Sequence, residues 1–119
     1  MSKIISIAID AMGGENSPDK TIEGIKLFLE KNKKNDYILN IFGKEQEIKK
    51  TLAKYKVVSN LIKIIDSKNV VSDEESPMTA VKNSKNTSMW NCIQHQLEGK
   101  SDISLSAGNT GVLLVISRM

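Results

Sequence analysis

Lys3-Ile4-Ile5-Ser6-Ile7-Ala8-Ile9-Asp10 is short, β-branched and nearly all apolar. Such a run suits a parallel strand covered on both faces, where no solvent side demands a polar alternation. It leads directly into a glycine-containing turn, Ala11-Met12-Gly13-Gly14-Glu15-Asn16. Ser17-Pro18 then reads as the N-cap and first residue of a helix running to about Asn32, with Ile22, Ile25, Phe28 and Leu29 on one face.

The same alternation continues outward. Tyr37 to Phe42 reads as a second strand closed by Gly43. Lys44 to Tyr55 is a second helix with Ile48, Leu52 and Tyr55 spaced along one face, its Lys-rich remainder facing solvent. Leu61 to Asp66 is a third strand, and Ser67 to Glu75 is polar. Ser76-Pro77 opens another helical turn, and from Ser88 a helix places Met89, Cys92, Ile93 and Leu97 on one face. Gly99 stands where a glycine ends a helix. Asp102 to Ser106 is a fourth strand, Ala107 to Gly111 a second glycine turn, and Val112 to Ile116 the start of a last helix. The order β-α-β-α-β-α-α-β-α predicts an α/β fold, a parallel sheet flanked by helices on both faces.

Composition narrows the function. The chain has 119 residues, one Cys, 39% hydrophobic and 26% charged residues, enough for one domain with a modest core. One Cys excludes a disulfide framework and a multi-Cys zinc site. No apolar run approaches the roughly 18 residues of a membrane helix, and the start lacks a signal-peptide pattern. A cytoplasmic protein is the expectation. Of the 17 basic residues only Arg118 is Arg, and aromatics are 4%, so the net charge of +3 lacks the Arg forks and stacking platforms of a nucleic-acid site.

In open parallel sheets, ligands bind beyond the carboxyl ends of the strands. Both glycine turns fall there, Asp10 to Glu15 and Ser106 to Gly111. Glycines let a backbone approach a ligand closely, and the helix N-terminus that follows suits phosphate. Asn109 and Thr110 add side-chain donors. Asp10 reads either as a turn-capping carboxylate or as a ligand-orienting group. Lys82, Lys85, Asn86, Thr87 and Ser88 form a donor-rich stretch suited to anions or to plain solvation. Neither turn spells a P-loop or G-x-G-x-x-G, so a dinucleotide site is unsupported. His95 reads as a surface residue without a placed partner, Cys92 as a small core residue rather than a nucleophile, and Trp90 as packing.

Ile7-Ala8-Ile9-Asp10-Ala11-Met12-Gly13-Gly14 together with Ser106-Ala107-Gly108-Asn109-Thr110-Gly111 resembles the bacterial phosphate acyltransferases of phospholipid synthesis. Pro77, Ala80-Val81-Lys82 and Lys85-Asn86-Thr87-Ser88-Met89 extend the resemblance, which covers essentially the whole chain. It implies an isocitrate/isopropylmalate dehydrogenase-like, phosphotransacetylase-like three-layer fold. It implies an enzyme that turns an acyl thioester on acyl carrier protein, plus inorganic phosphate, into acyl phosphate and free carrier protein. It further implies a homodimer, peripheral membrane association and no redox cofactor.

Phosphate is the nucleophile in that reaction, so no activated Ser or Cys is required. The protein must orient an anion and stabilise an oxyanion. The expected catalytic set is Asn109, Lys82 and Asp10. The expected substrate-binding set is Gly13, Gly14, Lys85, Asn86, Thr87, Ser88, Ser106, Gly108, Thr110 and Gly111, with no metal ligand. The chain departs from the family pattern at Glu15, at Thr87, and at Thr79, Asn83 and Ser84, where cations are more usual.

The resemblance reaches only about the first third of the family pattern, and the apolar Val112 to Ile116 stands near the end of the chain without a cap. The expectation is therefore a truncated N-terminal part of a single α/β domain, with little or no catalysis of its own. The competing readings are an inactive remnant of the enzyme and a stand-alone anion- or nucleotide-binding module.

Overall fold

β1 (Ile5–Asp10) lies inside a sheet of four parallel strands, paired with β2 (Tyr37–Gly43) on one side and β4 (Ile103–Ser106) on the other. β3 (Ile62–Asp66) pairs with the far side of β2, giving the order β3-β2-β1-β4. This is a computed structural model, and it describes residues 4–14, 16–32, 36–67 and 87–106. The expected elements at Ser76-Pro77 and from Val112 lie outside the described residues.

Among the described residues three helices cover the sheet: α1 (Asp19–Lys31), α2 (Glu45–Lys54) and α3 (Ser88–Leu97). Strand alternation sorts the two faces. Ile7, Ile9, Leu39 and Ile41 point to the side where Ile22 and Ile25 of α1 and Ile48 of α2 close the larger core. Ala8 and Phe42 point to the other side and meet Cys92 of α3. The chain steps from β1 outward to β3 with both helices on one face, then returns across the sheet to β4 through α3 on the other. Crossovers of a single hand require that arrangement. The result is a three-layer α/β architecture.

The strand and helix limits agree with the sequence reading to within one or two residues, and the one difference in kind is the cap of α1. That helix begins at Asp19, with Pro18 at the cap position. The Ser17 hydroxyl does not cap it. It donates instead to the carbonyls of Gly13 and Gly14, the latter at 3.0 Å. Gly14 and Asn16 both adopt positive φ, +86° and +58°, and this curls the turn back over Ser17.

α3 ends as expected. Gly99 has φ +79°, its N–H donates to Gln96, and the Lys100 N–H donates to His95. This pair of bonds is a Schellman closure, which satisfies carbonyls the helix would otherwise leave open. Leu97 is a correction: it is 60% exposed rather than on the buried face. The seam of α3 that reaches the core is Met89, Cys92 and Ile93.

Candidate functional site

The strand order reverses at β1. The chain leaves β1 toward β2 and comes back to β4 on the opposite side, so the carboxyl ends of β1 and β4 flank the switch point of the sheet. That is the crevice in which open α/β folds bind ligands. Asp10 ends β1 there and Ser106 ends β4, directly opposite one another in register.

Asp10 is 2% exposed. Its Oδ2 accepts a 2.8 Å hydrogen bond from the Ser106 hydroxyl, and its Oδ1 accepts one of 3.1 Å from the Met12 N–H. One carboxylate thus turns the chain after β1 and ties that turn to the end of β4. The second glycine segment, Gly108 to Gly111, follows Ser106 by two residues in sequence. Of the expected site residues, Asp10, Gly13, Gly14, Thr87, Ser88 and Ser106 are described. Lys82, Lys85, Asn86, Gly108, Asn109, Thr110 and Gly111 lie outside the described residues.

The first glycine turn is held at three points. The Ala11 N–H donates to Phe42 of β2 at 2.9 Å. Gly13 and Gly14 receive Ser17 from below. Met12 packs over Gly43, where a Cβ would come within 2.6 Å of Met12 Cγ and 2.9 Å of Ile48 Cδ1. Gly43 is required by this close approach of the turn to the end of β2.

α3 brings its N-terminus to the same edge of the sheet. Thr87 caps it, its Oγ1 accepting from the Trp90 N–H at 3.2 Å. Asn91 donates to Ser67 Oγ at 2.9 Å, and Ser67 N–H donates to Gly43 at 2.7 Å, so the helix is tied to the ends of β3 and β2. Sequence reasoning missed Ser67 and Asn91, since a serine in a polar stretch carries no signal of burial. Cys92, one turn along, stands 3.8 Å from the Leu105 carbonyl. Burial, and then the negative charge of Asp10, push its thiol up to about 12, so it is a neutral core group, as its position on the apolar face predicts.

His95 corrects the surface reading. Its Nδ1 lies 2.6 Å from Ser101 Oγ, and its ring packs edge-on against Phe42 with centroids 5.2 Å apart. Ser101 belongs to a polar group with Ser6 and Asn40, whose Nδ2 donates to Ser6 Oγ at 2.9 Å. This group lies at the other end of the sheet and joins α3 to β1 and β2. Burial, with Lys100 second, holds His95 below its usual 6.5.

On the α1 face below Asp10 and Ser106 runs an apolar groove of about 390 Å³, walled by Ile7, Ile9, Phe28 and Leu105. Among the described residues no cluster of His, Cys, Asp or Glu could hold a metal ion, and no helix is long and apolar enough to cross a membrane.

These features define a class: a three-layer α/β protein whose first and fourth strands end side by side at the switch point of a parallel sheet. Residues 5–119 match the family model described as fatty acid synthesis protein, and the chain belongs to that family. It is similar to proteins named phosphate acyltransferase. The one from Pelagibacter ubique is 48% identical over 119 residues, all of this chain and 34% of the relative. The one from Anaplasma phagocytophilum is 40% identical over 116 residues, 96% of this chain and 34% of the relative. The one from Clostridium kluyveri is 38% identical over 108 residues, 91% of this chain and 31% of the relative. The chain thus spans about one third of the length of these relatives.

Proposed function

We propose that this chain forms the phosphate-binding edge of an acyltransferase that makes acyl phosphate from an acyl thioester on acyl carrier protein and inorganic phosphate. The observation that carries the reading is the Asp10–Ser106 hydrogen bond across the switch point. It brings the ends of β1 and β4, and hence the starts of both glycine segments, to one edge. The names of the relatives support phosphate as the acyl acceptor.

In this reading a phosphate oxygen attacks the thioester carbonyl carbon. The tetrahedral oxyanion collapses, the carbon–sulfur bond breaks, and the carrier-protein sulfur leaves and takes up a proton. The protein supplies position and charge rather than a nucleophile. Asn109 and Thr110 donate to phosphate and to the oxyanion, with the backbone of Gly108 and Gly111 admitting close approach. Lys82, Lys85 and Asn86 draw the anions in, and Gly13 and Gly14 form the opposite wall. Asp10 has both carboxylate oxygens engaged, so it acts as a positioning residue. No cofactor is needed. The complete enzyme works as a homodimer in the cytoplasm, at the inner face of the membrane.

The test fuses this chain to the remaining two thirds of the Pelagibacter relative. Carrier-protein thiol release that depends on phosphate, with acyl phosphate as product, is the expected result. Asn109→Ala should raise the phosphate KM or lower kcat. A well-folded fusion that binds phosphate and makes no acyl phosphate would leave only an anion-binding module or an inactive remnant.

A further inference from the structure

β4 turns its apolar side chains to the α1 face of the sheet. Ile103 and Leu105 stand beside Ile7 and Ile9 in register. Ser104, between them, turns the other way and donates to Gln96 of α3. Ile103 and Leu105 nevertheless stay 46% and 53% exposed. The strip between β4 and α1 is the apolar groove of about 390 Å³. Contiguous exposed apolar surface of this kind marks a place where something binds.

The groove has two defined ends. Asp10 and Ser106 line it at the carboxyl edge of the sheet. Phe28 lines it at the opposite end, its ring packed edge-on against Tyr37, the first residue of β2, with centroids 4.8 Å apart. Ile7, Ile9 and Leu105 lie between. The rise of a strand puts Ile7 about 10 Å from Asp10, the span of about eight carbon–carbon bonds in an extended chain.

Gly24 lines the groove from α1, near the middle of that helix. A glycine inside a helix weakens it. A Cβ at Gly24 would meet nothing within 4 Å, so the packing of the chain does not demand glycine there. What the missing side chain supplies is width in the groove.

We infer that this groove holds the acyl chain of the thioester substrate, with the carbonyl at the Asp10–Ser106 edge and the tail running toward Phe28. This rests on the proposed function and deepens it. The carbonyl has to meet phosphate at the edge, so the tail leaves along adjoining apolar surface, and the groove begins there. Membership of a family described by fatty acid synthesis supports a hydrocarbon occupant. Gly24 is then a specificity-determining residue, because a larger side chain would stop the tail part-way.

The probes are N-acetylcysteamine thioesters of butanoic, hexanoic, octanoic and decanoic acids, neutral mimics of the carrier-bound thioester. Their binding to the 119-residue chain is read from Ile and Leu methyl shifts. Shifts are expected at Ile7, Ile9 and Leu105. Affinity should rise about fourfold per added methylene and level off near eight carbons. Gly24→Leu should weaken octanoyl binding about tenfold or more and leave butanoyl binding unchanged. Gly24→Ala should give a smaller loss of the same kind. Both side chains favour a helix over glycine, so neither variant should melt below the wild type. In the fusion, Gly24→Leu should raise the KM for octanoyl carrier protein and leave that for butanoyl carrier protein unchanged.

Methyl shifts away from the groove overturn the inference, as does affinity that keeps climbing through decanoyl. An unmoved chain-length preference in Gly24→Leu also overturns it, and the apolar strip is then a surface that protein covers. The binding series needs neither phosphate nor turnover, so its failure and the failure of the proposed function are read apart.

Discussion

Ser106 and Asp10 face each other at the ends of two adjacent parallel strands, joined by a 2.8 Å hydrogen bond. The two residues are 96 positions apart in sequence, and the edge they form depends on β4 returning beside β1. Removing the carboxylate tests this tie. Asp10→Ala takes away the acceptor of the Ser106 hydroxyl and of the Met12 N–H in a buried place, and should cost about 2–4 kcal/mol. Asp10→Asn keeps an acceptor and should cost less. Urea unfolding of the two variants at neutral pH measures the difference.

Gly43 and Gly24 make opposite predictions for one substitution. Gly43→Ala drives a methyl into Met12 and Ile48 and should destabilise by about 1–3 kcal/mol. Gly24 lies in α1 with nothing within 4 Å of its would-be Cβ, so Gly24→Ala should stabilise by about 0.5–1 kcal/mol. Thermal melts of both variants decide it.

Cys92 is expected to be unreactive. With its thiol near 12, only about one molecule in ten thousand carries a thiolate at pH 8. Iodoacetamide should label native chain very slowly and urea-unfolded chain at the ordinary rate for a free thiol. Equal rates in the two states would contradict the buried position of this residue.

Among the described residues, His95 and Asp19 bear on the acid side of stability. Burial lowers His95 below 6.5, so just under that pH the unfolded chain binds a proton that the folded chain does not. Stability should fall as pH drops through 6.5 toward the folded value, and His95→Gln should flatten that limb. Asp19 is lowered by its hydrogen bonds from Lys54, at 2.7 Å, and from Tyr55. Its contribution is present above 3.8 and is lost as pH falls through the folded value. Urea midpoints between about pH 3 and pH 7.5 separate the two windows.

Much of this architecture is readable from residue order. The apolar Ile5 to Ile9, the seams of α1 and α2 and the glycine after α3 carry period and cap signals that tertiary packing does not override. The edge location of Asp10 and Ser106 follows from where their strands end. Other features depend on backbone angles and contacts that residue type and spacing do not announce. Ser17 fits an N-cap by type, yet the positive φ values at Gly14 and Asn16 direct it to the glycine carbonyls. His95 looks like a polar-face residue until Ser101 and Phe42 close around it. Leu97 has the right spacing for the buried seam, yet it falls in the last turn, where α3 has passed the edge of the core.

The most direct test of a phosphate-binding carboxyl edge is a map of backbone amide shifts as inorganic phosphate is added to the chain. The account predicts shifts at Asp10 to Gly14, at Thr87 to Trp90, and from Ser106 onward, with Ser6, Asn40 and Ser101 at the other end of the sheet unmoved. Shifts confined to that other end, or none at millimolar phosphate, would contradict it.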